Sequence, residues 1–233
     1  MARPLLVLKH SPTVPAGHLA GALGAGGMAI RRADLFDGDP VPEGTSWAGI
    51  VSLGGLMGAY EDERYPWLRA EKRLLAEAVA AGVPVLGLCL GCQLLADALG
   101  GRVRRAPAPE LGMLAVDLTD AGRTDPVLRH LDVPVPVWHS DTWDLPPGGE
   151  LLAATPAHPH AFRLGSGVGI QAHPEATPYI VARWIAGHQG DDLERTGTDP
   201  GEFLAEVRAG SDAQRVMAKR LFEAWVAEVQ SRS

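Results

Sequence analysis

Residues 5–8 are a continuous apolar run, ended by His10-Ser11-Pro12. A run of four to eight apolar residues bounded by turn formers reads as a strand buried on both faces. Residues 48–53, closed by Gly54-Gly55, and residues 83–88 read the same way. Between these two runs the period changes. Over residues 66–81, Leu68, Leu74, Leu75, Ala78 and Val79 fall on one stripe of a helix. Pro66 opens it and Gly82 stands where a C-terminal cap belongs. Residues about 16–24 form a weaker, Gly-rich helical stretch, and residues 93–99 a short helix stopped by Gly100-Gly101.

From residue 102 to 172 the apolar runs shorten to 114–118, 133–138, 151–154 and 167–172, split by Pro, Gly and Asp. That texture predicts strands joined by tight turns. Gly165-Ser166-Gly167-Val168-Gly169 reads as a hairpin turn, since it does not fit a dinucleotide fingerprint. Beyond Pro178 helical spacing returns over 179–186, about 201–208 and 212–230. In the last, Val216, Leu221, Phe222, Trp225 and Val229 form a stripe that reads as core packing. Alternating strands and helices predict an α/β fold with an open, mostly parallel sheet flanked by helices. One domain over 1–233 is expected, with 187–233 a helical extension.

Composition narrows the function. The net charge is −7, with 21 Lys and Arg against 28 Asp and Glu. Nonspecific nucleic-acid binding needs clustered positive charge, and Arg102, Arg104 and Arg105 read as a solvated strand end. Residues 78–96 are uncharged for 19 positions, nominally long enough to span a membrane. Gly82, Pro84, Gly87, Gly91 and Gln93 interrupt them, so no membrane span is expected. The first apolar run is too short for a signal peptide. The two cysteines, Cys89 and Cys92, fit a reducing compartment better than a disulfide framework. A cytoplasmic location is expected.

The densest chemistry lies in Gly87-Leu88-Cys89-Leu90-Gly91-Cys92-Gln93, where a buried strand meets a helix. A nucleophile at such a junction sits on a sharp turn. Glycines two before and two after it avoid collision with neighbouring strands. The free N–H groups of the helix favour a thiolate at Cys89, and the Leu90 N–H can donate to an oxyanion. A redox Cys-x-x-Cys pair, half of a metal site and a buried structural thiol are the competing readings. The first explains the flanking glycines less well. The second finds no further cysteine pair and no ligand spacing among the histidines. Cys92 reads as a small apolar helix residue.

A cysteine nucleophile needs a base, and the base an orienting group. In Gln171-Ala172-His173-Pro174-Glu175, Pro174 keeps His173 extended. Glu175, two residues on, then shares its side of the chain and can reach the imidazole. His139, beside Ser140-Asp141, is the second candidate. His158 and His160 read as loop histidines.

Cys89 in a Gly-x-Cys-x-Gly-x-Gln setting, with His173-Pro174-Glu175 about 84 residues later, resembles the class I glutamine amidotransferases. The likeness covers residues about 5 to 178 and is nearest to free-standing chains similar to the glutaminase part of GMP synthase. It implies a flavodoxin-like α/β sheet and a Cys89-His173-Glu175 triad that hydrolyses glutamine through a γ-glutamyl thioester. It implies an oxyanion hole from the N–H groups of Gly55 and Leu90. Gln93 and the stretch His139, Ser140, Asp141 would hold the substrate, the latter mainly through backbone. Leu56 departs from the Pro of many relatives, and Trp138 from a small polar residue.

The resemblance implies no cofactor and no metal. No phosphate-binding or Ser-Gly-Gly-x-Asp nucleotide loop is present, so the ammonia acceptor would be a separate synthetase chain. Two alternatives remain open. One is a γ-glutamyl hydrolase using the same triad on γ-glutamyl amines, for which a wide pocket around Trp138 and Trp143 would speak. The other is a non-catalytic regulatory binding protein.

Overall fold

Alternate residues of a strand point to opposite faces of its sheet, so a fully apolar strand must feed two cores. The computed structural model describes residues 3–187 and 192–232. Its first strand, β1 (Leu5–Lys9), sends Leu5 and Val7 to one core and Leu6 and Leu8 to the other. The chain continues through α1 (Gly17–Ala25), β2 (Ile30–Asp34), β3 (Ile50–Ser52), α2 (Trp67–Ala80), β4 (Val85–Leu88) and α3 (Leu90–Ala98). Then follow β5 (Val103–Leu114), β6 (Asp117–Leu118), α4 (Asp120–Thr124), β7 (Val135–Trp143), β8 (Glu150–Ala154), β9 (Pro159–Leu164) and β10 (Gly167–Ile170). Three helices close the chain: α5 (Pro178–Ala186), α6 (Asp192–Thr196) and α7 (Pro200–Ser231).

Eight strands form one sheet in the order β2-β1-β3-β4-β10-β9-β8-β6. The pairings from β2 to β10 are parallel, and those from β10 to β6 antiparallel. β5 and β7 pair separately as an antiparallel ribbon. The open, mostly parallel α/β sheet is therefore as expected. Leu68, Leu74 and Leu75 of α2 and Leu94 and Leu95 of α3 cover one face. Leu19 and Leu23 of α1 cover the other, with Leu221, Phe222 and Trp225 of α7. The carboxyl ends of β1, β3, β4 and β10 converge on one edge, where ligands of such sheets sit.

Several elements differ from expectation. β2 has no apolar run, because it is the sheet's edge strand and exposes Ile30, Arg31 and Arg32. The run at 114–118 is split between the end of β5 and the two-residue β6. β9 was hidden by Pro159, which opens the strand, where its missing N–H is tolerated. The hairpin does form: β9 and β10 pair around Gly165-Ser166, with Gly165 at φ +58°. The uncharged stretch 78–96 divides among the end of α2, β4 and α3. Among the described residues, no helix is long and apolar enough to cross a membrane.

The C-terminal region departs most. The stretches about 201–208 and 212–230 are one helix, α7, which runs unbroken through Gly210-Ser211. A side chain at Gly210 would press on Met113, 3.0 Å from its terminal methyl, so close packing outweighs the roughly 1 kcal/mol helix penalty of glycine. Val216 is exposed, whereas Met217 and Ala218 are buried beside Leu221, Phe222, Trp225 and Val229. The stripe read in the sequence is thus buried as expected except at Val216, whose place Met217 and Ala218 take. Gly26 of the α1 end abuts Val226, and the Gln230 side chain donates to the Gly26 carbonyl at 3.1 Å. Residues 188–191 and 233 of the proposed extension lie outside the described residues.

Because Phe222 is wholly buried, Phe222→Ala should lower the unfolding free energy by about 3–5 kcal/mol. Val216→Ala should stay within about 0.5 kcal/mol. Urea unfolding followed by fluorescence measures both, and a reversed ranking would show that the stripe serves something other than the core.

Candidate active site

β4 ends at Leu88 and α3 begins at Leu90, so the whole turn is Cys89. Its backbone sits at φ 51°, ψ −107°, and it is the one non-glycine residue with positive φ among the described residues. The Cys89 N–H donates to the Ile170 carbonyl of β10 at 2.8 Å, and the Gly91 N–H to the Leu53 carbonyl at 3.1 Å. A Cβ on Gly91 would stand 2.0 Å from the Ser52 carbonyl oxygen of β3. The neighbouring strand thus excludes a side chain there, as expected. A Cβ on Gly87 would stand 2.3 Å from the Gly91 carbonyl oxygen. Its obstacle is the first turn of α3 rather than a strand. Both thiols are free. Cys92 is buried in the core, where burial and the neighbouring Cys89 push its thiol well up. It is a packing residue, as the sequence suggested.

His173 lies just past β10, and its N–H donates to the Pro136 carbonyl of β7 at 2.9 Å. Its Nδ1 donates to Glu175 Oε1 at 2.7 Å, with both side chains buried. Trp184 of α5 covers the ring, with centroids 4.6 Å apart. The other side of the turn is fixed by Gln214 of α7, whose amide donates to the Ala176 carbonyl at 2.8 Å. Gly17 of α1 approaches the Glu175 carbonyl so closely that a Cβ would lie 1.9 Å from it. Burial opposes a charge on the His173 ring. The Glu175 carboxylate and the neighbouring Cys89 outweigh it and push His173 up to about 10. Cys89 and His173 meet beside Gly54, where a Cβ would be 3.6 Å from Cys89 Cβ and 3.5 Å from His173 Cε1.

These residues line a cavity of about 380 Å³. Gly55, Leu90, Gln93, His139, Ser140 and Asp141 all reach its wall with Cys89 and His173, and Glu175 stands behind His173. The Gln93 amide donates to Gln171 Oε1 at 3.2 Å. Asp141 takes the Tyr60 hydroxyl at 3.1 Å and lies 3.6 Å from Arg105, while burial raises its carboxyl above the ordinary value. Trp138 is on the wall, edge-on to Trp184 and Phe203. Trp143 is not: it packs in the core against Phe162. Sequence reasoning missed the rim residues Arg105, Trp184, Asp192 and Arg195. α6 is short and polar, and nothing local signals that it reaches the cavity. Arg105 is solvated, as expected of its cluster, yet it also faces this mouth.

The histidines converge where spacing gave no hint. His139 Nδ1 donates to the Asp141 carbonyl at 2.9 Å, and its Nε2 lies 3.1 Å from Glu110 Oε2. His160 Nε2 donates to the same oxygen at 2.7 Å, and Thr155 donates to the other at 2.7 Å. Burial opposes charge on Glu110, but these partners hold its carboxyl well below the usual carboxylate range. Among the described residues, Glu110, His139 and His160 are the set whose donor atoms cluster closely enough to hold a metal ion. β7 and β9 bring the two rings together across the fold, so the absence of ligand spacing in the sequence was no guide. His160 is fully buried rather than in a loop, and His158 rests edge-on against His139.

Similarity to known proteins bears on the family. A family model described as glutamine amidotransferase class-I matches residues 43–180, which hold Cys89, His173 and Glu175. The glutamine amidotransferase-like protein YfeJ of Salmonella typhimurium is 35% identical over 191 residues, 78% of this chain and 80% of that one. The glutamine-hydrolysing GMP synthase of Aeropyrum pernix is 38% identical over 174 residues, 69% of this chain but only 31% of that longer protein. A solved glutamine amidotransferase from Thermotoga maritima superposes with a TM-score of 0.84 at 28% identity, over 97% of this chain and 99% of that one. The chain belongs to the class I glutamine amidotransferase family.

Proposed function

We propose that this protein hydrolyses the side-chain amide of glutamine, with Cys89 as nucleophile, His173 as proton shuttle and Glu175 as its orienting group. One observation carries the reading. Among the described residues, the one non-glycine backbone at positive φ belongs to the cysteine that shares the cavity wall with a histidine already held by a buried carboxylate. Cys89 Sγ attacks the amide carbon, and the developing oxyanion takes hydrogen bonds from the N–H groups of Leu90 and Gly55. Leu90 opens α3, so its N–H has no intrahelical partner. The C–N bond then breaks, and the proton held by His173 leaves with ammonia.

The electrostatics suit both halves of the cycle. Cys89 is one of the two groups that raise the proton affinity of His173. Thioester formation removes the sulfur's negative charge, so His173 releases its proton more readily at the moment ammonia departs. The neutral ring then takes a proton from water, which attacks the thioester. Glutamate and the original Cys89-His173 pair are the products. Gln93, His139, Ser140 and Asp141 hold the amino-acid end of the substrate, with His139 contributing through backbone because its ring is tied to Asp141 and Glu110.

A cavity of about 380 Å³ is at the small end of ligand pockets, roughly 300–1,000 Å³. Trp143 takes no part in it and Trp138 is walled by Trp184 and Phe203. Both points favour ammonia over a bulky amine as leaving group. An intact triad speaks against a purely regulatory protein. The matched GMP synthase extends far beyond its region of likeness to this chain, and we assign the ammonia acceptor to a separate synthetase chain. The whole chain acts as one domain: α7 completes the sheet's core, and α6 reaches the cavity rim.

Cys89→Ala should abolish glutamate release from glutamine, and Cys92→Ala should retain it. Mass spectrometry should place a glutamine-mimicking electrophile on Cys89. Activity that survives Cys89→Ala but is lost in Cys92→Ala would overturn the assignment.

Glu175→Gln removes the chief contribution that raises His173. The imidazolium, present below about pH 10 in the native protein, would then be lost at lower pH. The alkaline limb of the pH–rate profile should move to lower pH, and kcat should fall by ~10²–10⁴. An unmoved alkaline limb would exclude Glu175 as the group that tunes His173.

A further inference from the structure

The Gly55 N–H is useful only if it points at the reacting carbonyl. In a trans peptide the C=O and the following N–H lie on opposite sides. Whatever grips the Gly54 carbonyl therefore aims the Gly55 N–H. His10, at the end of β1, grips it. Its Nδ1 lies 2.9 Å from the Leu53 carbonyl oxygen and 3.3 Å from that of Gly54. Both neighbours are acceptors, so Nδ1 carries a proton. Nε2 lies 2.8 and 3.1 Å from the two oxygens of Glu71. A ring with donors at both nitrogens is an imidazolium, here paired with a carboxylate from α2.

The pair is over-determined. Ser52 Oγ donates to Glu71 Oε1 at 2.6 Å. Trp67 stacks on the His10 ring, with centroids 5.4 Å apart and planes 12° off parallel. Both charged side chains are completely buried. Gly55 passes so near His10 that a Cβ would lie 2.8 Å from His10 Cβ. The Leu53 carbonyl that takes the His10 proton also takes the Gly91 N–H. One oxygen thus joins His10 to the first helical turn after Cys89. Neither His10 nor Glu71 lines the cavity.

Stability alone is a weak reason for such a pair. Desolvation offsets the attraction of buried charges, and apolar replacements of similar volume are often neutral. We propose that His10, held by Glu71, is a positioning residue that aims the Gly55 N–H at the oxyanion. This rests on the reading that Cys89 attacks an amide carbonyl.

The test is the double variant His10→Phe/Glu71→Gln. It keeps a ring on Trp67 and an acceptor for Ser52 while removing both charges and the grip on Gly54. Four quantities are measured: the urea unfolding midpoint, kcat and KM for glutamate release, and the rate at which iodoacetamide alkylates Cys89. Alkylation makes no oxyanion and so does not use the Gly55 N–H. The variant should fold and be alkylated within about threefold of the wild-type rate. Its kcat should fall ~10²-fold, the scale of one oxyanion donor, with KM within about threefold. A folded variant with kcat near wild type overturns the proposal. So does a parallel loss of alkylation, which would mark general damage to the site.

Trp67→Leu loosens the ring without stranding a buried charge. It should lower kcat by roughly three- to tenfold, also sparing alkylation, so the proposal stands or falls even if the double variant does not fold. Hydrogen exchange across residues 53–57 should quicken in both variants, and unchanged exchange would overturn the His10 grip. If the wild-type protein releases no glutamate, the hydrolase reading fails, and the exchange result still decides whether His10 holds the loop.

Discussion

The backbone of Cys89 is the constraint from which the site is organised. A non-glycine residue at φ 51° sits about 1–3 kcal/mol above relaxed geometry and persists only where its surroundings over-determine it. Here the surroundings come from several elements. β10 accepts the Cys89 N–H, the loop after β3 accepts the Gly91 N–H, and β3 itself leaves no room for a side chain at Gly91. The strain has a directional result. It turns the thiol out of the sheet toward the cavity and leaves the first N–H of α3 next to it.

Around that elbow, carboxylates stand behind histidine rings. Glu175 stands behind His173, Glu71 behind His10, and Glu110 behind His139 and His160. Each carboxylate has a different consequence. Glu175 strengthens the hold of His173 on a proton, against the effect of burial. Glu71 fixes a ring that grips backbone carbonyls. Glu110 ties down a ring next to Ser140 and Asp141 on the cavity wall. Charges out of water interact strongly, so fixed partners orient rings more firmly than solvent could.

Parts of this were legible locally. The apolar runs of β1, β3 and β4 and the stripe of α2 read correctly because burial on both faces, or on one, writes a period into the chain. Gly87 and Gly91 marked the elbow because only a close backbone approach demands glycine at both places. His173 and Glu175 were legible from their two-residue spacing, although they meet across a turn in which the Ala176 N–H donates to the His173 carbonyl at 3.1 Å, not along the extended chain that the sequence suggested. β2 and β9 were not, since one is an exposed edge and the other opens on Pro159. Glu71 stands outside the apolar stripe read for its helix, and its partner lies 61 residues away. His10 looked like the punctuation after a strand. The stripe of α7 was misplaced at Val216 because the packing of α1 and the sheet, not the sequence period, sets which side of that helix is buried.

By itself, then, the sequence determined the alternation of strands and helices, the place of the nucleophile elbow and the pairing of His173 with Glu175. These depend on neighbours a few residues apart. Only the tertiary structure decided that Cys89 and His173 meet beside Gly54. It also decided that α6 and Trp184 complete the cavity, that Trp143 is core, and that His10 reaches the loop after β3. Those contacts join segments distant in sequence across an open sheet. A chain with local periodicity alone carries no distance between them.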